Sequence, residues 1–206
     1  MIAVVDYGAG NLRSVVNGFE AIGHKVAVVK DPDKLVKASA IILPGVGAFG
    51  ASMEEIRRQK LVEPLEELVF SQKLPYLGIC LGMQFLAEES LEKGRHQGLG
   101  WIRGKVELMS PNDGKFRIPH MGWNDISYRE TCPLFEGLGK KPVFYFVHSY
   151  HLVVTEDEAD FVTASCWHGL TVTAAVQKDN IFGVQFHPEK SQENGLKVLE
   201  NFIKSI

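Results

Sequence analysis

Residues 75–84 read PYLGICLGMQ: an apolar run ending in glycine, a single cysteine, then a second glycine where a helix-like pattern begins. A cysteine that is only a small core hydrophobe needs no such flanks. A strand that passes directly into a helix does need them, because the corner crowds its neighbours and glycine removes the clashing Cβ atoms. On this reading PYLGI (75–79) is a buried strand, a helix starts in LGMQFLAEES, and Cys80 stands at the corner. Gly78-Ile79-Cys80-Leu81-Gly82 then has the form G-x-Nuc-x-G, a cysteine counterpart of the serine nucleophile elbow. Such a corner lifts the thiol above the sheet edge and leaves the Leu81 amide free to meet a developing oxyanion. The helix N-terminus also favours thiolate over thiol. The plain alternative is a buried structural cysteine between two packing glycines.

Outward from this corner, the first half alternates short apolar runs with amphipathic stretches. IAVVD (2–6), HKVAVV (24–29) and AIILPG (40–45) read as strands buried on both faces. Leu12, Val15, Val16, Phe19 and Ile22 recur at helical spacing before Gly23, and Asp31-Pro32 reads as an N-cap with proline in the first turn. One or two helices are expected from Met53 to Val69, with Pro64 as a break or restart. The second half, from WIRGKVELM to IFGVQF, is mostly strand, with KDN (178–180) as a hairpin turn and a closing helix ending near Ile206. The expectation is one α/β domain over residues 1–206, three layers deep, with a mixed, largely parallel sheet and helices on both faces.

Composition agrees with an ordinary globular chain, 45% hydrophobic and 23% charged. A formal charge of −3 argues against nucleic acid as a partner. No run approaches the roughly 18 apolar residues of a membrane span, and MIAVVDYGAG does not read as a signal peptide. Three cysteines, Cys80, Cys132 and Cys166, fit free thiols in a reducing cytoplasm.

Three further motifs bear on chemistry. DYGAGNLRS places G-x-G after a strand, but Arg13 stands where a dinucleotide fingerprint wants a third small residue, so a plain turn is the better reading and no cofactor is expected. Gly45-Val46-Gly47 follows the third strand at the edge where open α/β sheets bind ligands, and one of its amides could oppose Leu81 as a second oxyanion donor. A simple strand-to-helix turn is the alternative. In GVQFHPEKS, Pro188 keeps the chain extended, so His187 and Glu189 project to the same side. The carboxylate can hold one imidazole nitrogen and leave the other for a sulfur, which completes a Cys–His–carboxylate triad. No metal is expected, because His148 and His151 point to opposite faces of a strand and Cys166 and His168 have no second pair.

LPGVGAFG (43–50), GICLGMQ (78–84) and GVQFHPE (183–189) together resemble the glutaminase domains of class I glutamine amidotransferases, with their flavodoxin-like core. DYGAGNLRSV, IPHMGWN, YFVHSY and the Lys-Ser after HPE narrow the resemblance to the glutaminase subunits of imidazole glycerol phosphate synthases. The resemblance implies Cys80 as nucleophile, His187 as base and acid, and Glu189 as its orienter. It implies that Gln84, His148, Ser149 and Tyr150 hold the amino-acid end of glutamine. It further implies a (β/α)8-barrel cyclase subunit as partner, met near Asn11, Met121, Trp123, Tyr145 and Lys190. At this point a glutaminase serving another synthase, a hydrolase acting alone and a redox-sensing flavodoxin-like module all stay open.

Overall fold

A computed structural model describes residues 1–111 and 114–206. Its first half runs β1 (Ile2–Val5), α1 (Leu12–Ala21), β2 (Val26–Val29), α2 (Pro32–Leu35), β3 (Ala40–Gly45), α3 (Phe49–Arg58), α4 (Val62–Glu66), β4 (Tyr76–Cys80) and α5 (Leu81–Gln84). The caps follow from the local sequence. Asn11 accepts the Ser14 N–H at the start of α1, and Asp31 accepts that of Asp33 beside Pro32 in α2.

The second half contains β5 (Glu89–Ser90), β6 (His96–Gln97), β7 (Gly104–Leu108), β8 (His120–Asp125), β9 (Ser127–Tyr128), β10 (Val143–His148), β11 (Tyr150–Val154), β12 (Val162–Trp167), β13 (Thr171–Lys178), β14 (Ile181–Val184) and α6 (Gln192–Lys204). The hairpin at residues 178–180 is present, with Asp179 at a φ of 52°.

Among the described residues the central sheet has the order β2-β1-β3-β4-β14-β13-β12-β9. The five strands from β2 to β14 are parallel, and the last three join antiparallel. Strand alternation sorts side chains into two cores. Ala3, Val5, Ile41 and Leu43 face Phe49, Met53 and Ile56 of α3. Val4, Ala40 and Ile42 face the opposite way, toward Val15 and Phe19 of α1 and Val198, Leu199 and Phe202 of α6. Each fully buried Val, Leu, Ile, Phe or Met among them contributes about 1.5–3 kcal/mol. This is the expected three-layer α/β arrangement. Two smaller sheets, β10-β8 and β11-β7-β5-β6, flank it.

One element departs from expectation. The apolar pattern after Cys80 predicts a helix through about residue 90, yet α5 ends at Gln84. The reason is non-local. The carbonyls of Phe85, Leu86 and Ala87 accept the N–H groups of Leu99, Ile102 and Gly100, so they are not available to continue a helix. All three side chains are fully buried, which suits a segment packed all round.

Candidate active site

The corner at Cys80 is built from backbone sterics. A Cβ at Gly82 would sit 1.7 Å from the Leu43 carbonyl oxygen of β3, and one at Gly78 would sit 2.5 Å from the Gly82 carbonyl oxygen. Only glycine lets β3, β4 and α5 approach this closely. Cys80 adopts φ 55° and ψ −108°, in the region that residues with a Cβ rarely occupy. Holding it there stores strain, which clusters at functional sites.

Gly45 pairs with Cys80 across the β3–β4 register, and β14 ends beside β4 with Val184 opposite Ile79. The residues after β14 therefore reach the same edge. His187 is anchored through its backbone: its N–H donates to the Tyr145 carbonyl, and its own carbonyl accepts the Ser191 hydroxyl at 2.6 Å. The Ser191 hydroxyl oxygen also accepts the Tyr145 N–H at 2.9 Å. The segment is not extended throughout, as the sequence suggested. His187 is extended, but residues 188–190 form a 3₁₀ turn stabilised by Lys190 N–H donating to the His187 carbonyl. The turn still brings Nδ1 of His187 to 2.7 Å from Glu189 Oε1, with both side chains 2% exposed.

His187 Nε2 is buried and has no hydrogen-bond partner among the described residues. Burial alone would lower the imidazole's pKa, but the Glu189 hydrogen bond and the charges of the neighbouring Cys80 sulfur and Glu189 outweigh it and push it up to about 10. The ring is thus held ready to carry a second proton against a thiolate.

Cys80 and His187 share a cavity of about 380 Å³ with Leu81, Gln84, His148, Ser149 and Tyr150. Val46 and Gly47 line it from the loop after β3, whereas Gly45 does not. Gly45 lies behind the wall, where a Cβ would meet the Tyr7 hydroxyl at 2.7 Å and Leu81 Cβ at 2.9 Å. As the first residue of α5, Leu81 has an N–H without an intrahelical acceptor.

The residues expected to hold the substrate are tied together. Gln84 Nε2 donates to the Tyr150 carbonyl and to Gln185 Oε1, both at 2.9 Å. His148 and His120 form a chain whose tautomers are fixed by its ends. His148 Nδ1 faces the Tyr150 carbonyl at 2.9 Å, so it carries the proton and Nε2 accepts. That acceptor faces His120 Nδ1 at 3.0 Å, which must donate, leaving His120 Nε2 to accept from Asn124 Nδ2. Burial, with the nearby His148 and His168, pushes the His120 pKa down to about 3. Burial likewise takes His148 down to about 4 against the opposing Tyr150 hydrogen bond.

Glu92 and Gln185 also belong here, although sequence reasoning passed over both. Glu92 lines the cavity and accepts the Phe49 N–H at 2.7 Å, at the start of α3. Gln185 is fully buried and donates from Nε2 to Cys80 Sγ at 3.7 Å. A signal for Gln185 existed, since it lies two residues before His187 in a segment read as strand.

Of the residues expected at a partner interface, Met121 and Trp123 are 62% and 50% exposed on β8. Trp123 meets the Tyr145 ring edge-on, and Lys190 Nζ lies 5.9 Å from the centre of that ring. Lys190 also lines the cavity, while Asn11 is the exposed cap of α1. Among the described residues no group of three or more His, Cys, Asp or Glu side chains could hold a metal ion, and no helix is long and apolar enough to cross a membrane.

The profile of the family described as glutamine amidotransferase class-I matches residues 3–206. An imidazole glycerol phosphate synthase subunit HisH from Sulfurimonas denitrificans is 50% identical over 206 residues, covering 99% of this chain and 98% of that one. Subunit HisH 1 of the same synthase from Campylobacter jejuni is 48% identical over 204 residues, 99% of this chain and 100% of the relative. The solved structure of PurLQS from Thermotoga maritima superposes with a TM-score of 0.76 at 23% identity, over 99% of this chain and 97% of that chain. The chain belongs to the class I glutamine amidotransferases and, within them, to the HisH subunits of imidazole glycerol phosphate synthase.

Proposed function

We propose that this chain is the glutaminase of an imidazole glycerol phosphate synthase, in histidine biosynthesis, and that glutamine is hydrolysed in the cavity at Cys80. The observation that carries the reading is a cysteine strained at a strand–helix corner, sharing a cavity with a buried histidine whose one nitrogen is held by Glu189 and whose other is unpaired. The Cys80 thiolate attacks the side-chain amide carbon of glutamine. The resulting oxyanion is held by the Leu81 N–H and one N–H from Val46 or Gly47, the two residues of that loop that line the cavity. His187 protonates the departing ammonia, which leaves a γ-glutamyl thioester, and then takes a proton from the attacking water so that glutamate is released. Glu189 keeps the ring oriented and stabilises its cationic form.

Glutamine's other end carries an ammonium and a carboxylate. The Glu92 carboxylate in the cavity supports a place for the ammonium, and Gln84 with the His148–Tyr150 segment frames that end of the site. The ammonia passes to a (β/α)8-barrel cyclase subunit, which forms imidazole glycerol phosphate and aminoimidazole carboxamide ribotide. Exposed Met121 and Trp123, with Tyr145, Lys190 and Asn11, support a docking face beside the cavity mouth. The family profile running through residues 3–206 supports one glutaminase domain, and three unpaired, buried cysteines fit a cytoplasmic location.

The test replaces Cys80 with alanine in the assembled synthase. Glutamine-driven synthesis should fall by about 10⁵-fold or more, while synthesis from added ammonium salt persists. Retention of glutamine-driven synthesis would show that the nucleophile lies elsewhere.

A further inference from the structure

Gln185 has no role in the steps above, yet it is fully buried and its side chain touches the reacting sulfur. The direction of its amide is fixed by geometry alone. The Tyr150 carbonyl can only accept, so the Gln84 atom 2.9 Å from it is the Nε2 donor. The same Nε2 lies 2.9 Å from Gln185, which must therefore turn its Oε1 toward Gln84. Gln185 Nε2 is then left facing Cys80 Sγ at 3.7 Å, as a donor and never an acceptor. The backbone supports this pose, because Gln185 N–H donates to the Ala174 carbonyl at 2.9 Å and holds the residue to β13.

We propose that Gln185 is a further catalytic residue, an amide donor that holds the Cys80 sulfur in its anionic form and aims it, with Gln84 locking its orientation. The inference rests on the reading of Cys80 as nucleophile. During attack a sulfur lone pair forms the C–S bond and the carbonyl π pair moves to oxygen, so sulfur loses its charge and the N–H···S contact weakens. When the thioester breaks, the C–S pair returns to sulfur and the donor is already in place to receive it. Gln185 thus lowers the energy of the thiolate as reactant and as leaving group. Because Gln84 also bonds the Tyr150 carbonyl, the substrate-side segment and the sulfur are joined by one continuous set of hydrogen bonds.

The experiment is the rate of iodoacetamide alkylation across pH in the unsubstituted chain, in Gln185→Met and in Gln185→Glu, with Cys80→Ala as the blank. Alkylation forms an S–C bond and releases iodide, so it reads the thiolate directly. Removing a donor to a charged acceptor should move the inflection of the rate profile upward by about one pH unit. A less stabilised thiolate is also intrinsically more nucleophilic, by about threefold per unit. The profiles should therefore cross: Gln185→Met reacts about threefold more slowly on the acid side and about threefold faster above its inflection. Gln185→Glu, which keeps the acceptor for Gln84, should move the inflection further still. A merely structural role would scale the rate without moving the inflection. An unmoved inflection in whichever of the two variants folds would overturn the proposal. In the unsubstituted protein, the Gln185 side-chain amide proton resonances should move when Cys80 is alkylated, and unchanged signals would overturn it independently of any variant. If Cys80→Ala alkylates as fast as the unsubstituted chain, the reading of Cys80 as nucleophile fails instead.

Discussion

The two halves of the proposed catalytic pair are held in place by different physics. Cys80 is fixed by backbone: two glycines permit a corner so tight that a methyl group on either would overlap a peptide oxygen. His187 is fixed by hydrogen bonds: Glu189 holds its ring, Tyr145 its N–H and Ser191 its carbonyl. A backbone corner forms completely or fails, whereas a set of hydrogen bonds can be removed one at a time. Substitutions at the first region should therefore threaten the fold, and those at the second should give graded losses of rate.

The largest effect should come from Gly82→Ala. Its Cβ would lie 1.7 Å from a carbonyl oxygen in the middle of the sheet, and no flexible side-chain end is there to move aside. A loss of at least about 4 kcal/mol is expected, in the range reserved for severe core disruption. Urea denaturation measures it, and a loss below about 1 kcal/mol would mean that the corner is not set by the backbone.

Glu189→Gln sharpens the other side. The amide is isosteric and neutral, so the fold should persist while the ring loses its charged partner. Losing an orienting carboxylate should lower glutamine turnover in the complex by about 10³-fold, less than loss of the nucleophile. The denaturation midpoint should fall, because the Glu189 share of the His187 stabilisation is lost, but by less than in Gly82→Ala. A variant as inactive as Cys80→Ala would contradict the ranking, and a large loss of stability would remove the contrast between the regions.

This contrast also explains how much the sequence disclosed. The corner was legible because its cause is local: Gly78, Cys80 and Gly82 lie within five residues, and steric crowding acts at that range. His187 and Glu189 were legible as a pair for the same reason, although the route between them, a 3₁₀ turn, was not. Glu92 was hidden because it sits in the polar run LEKGRHQ, where a solvated glutamate is the ordinary reading, and only the return of β5 and β6 toward α3 brings it to the cavity. The early end of α5 was hidden for a similar reason, since residues 99–102 capture its next carbonyls from outside the local pattern. The proposed docking face was expected only by resemblance. Nothing in the local sequence distinguishes exposed Trp123 from a core tryptophan.

Acid should act first on the His120–His148 hydrogen-bond chain beside this region. His120 and His148 are held neutral, with pKa values pushed down to about 3 and about 4 by burial. Unfolded, each would titrate near 6.5. As pH falls below that value the unfolded chain binds protons that the native chain refuses, so stability is full above 6.5 and declines until about pH 4 for His148 and about pH 3 for His120. His187 has the opposite sign: its raised pKa makes its contribution complete below 6.5 and lost as pH rises toward 10, so it does not offset the acid loss. Between pH 6.5 and 5 the two depressed histidines should together cost about 3 kcal/mol, read from urea midpoints. In His120→Phe the slope should be shallower, and an unchanged slope would remove this pair as its source.

The smallest effect tests the strain itself. A residue with a Cβ at φ 55° and ψ −108° costs about 1–3 kcal/mol, and glycine occupies positive φ freely. Cys80→Gly should relieve that strain but also lose a small buried side chain and gain chain entropy in the unfolded state, each worth about 1 kcal/mol, leaving a net change near zero. The same substitution at an unstrained buried cysteine such as Cys132, with the usual negative φ of −77°, should destabilise. A loss at Cys132 that exceeds the change at Cys80 by about 2 kcal/mol, read as denaturation midpoints, would show that the chain spends stability to hold this one sulfur at the corner. If Cys80→Gly lost stability as Cys132→Gly does, the corner would be relaxed, and its geometry would have to be explained by packing alone.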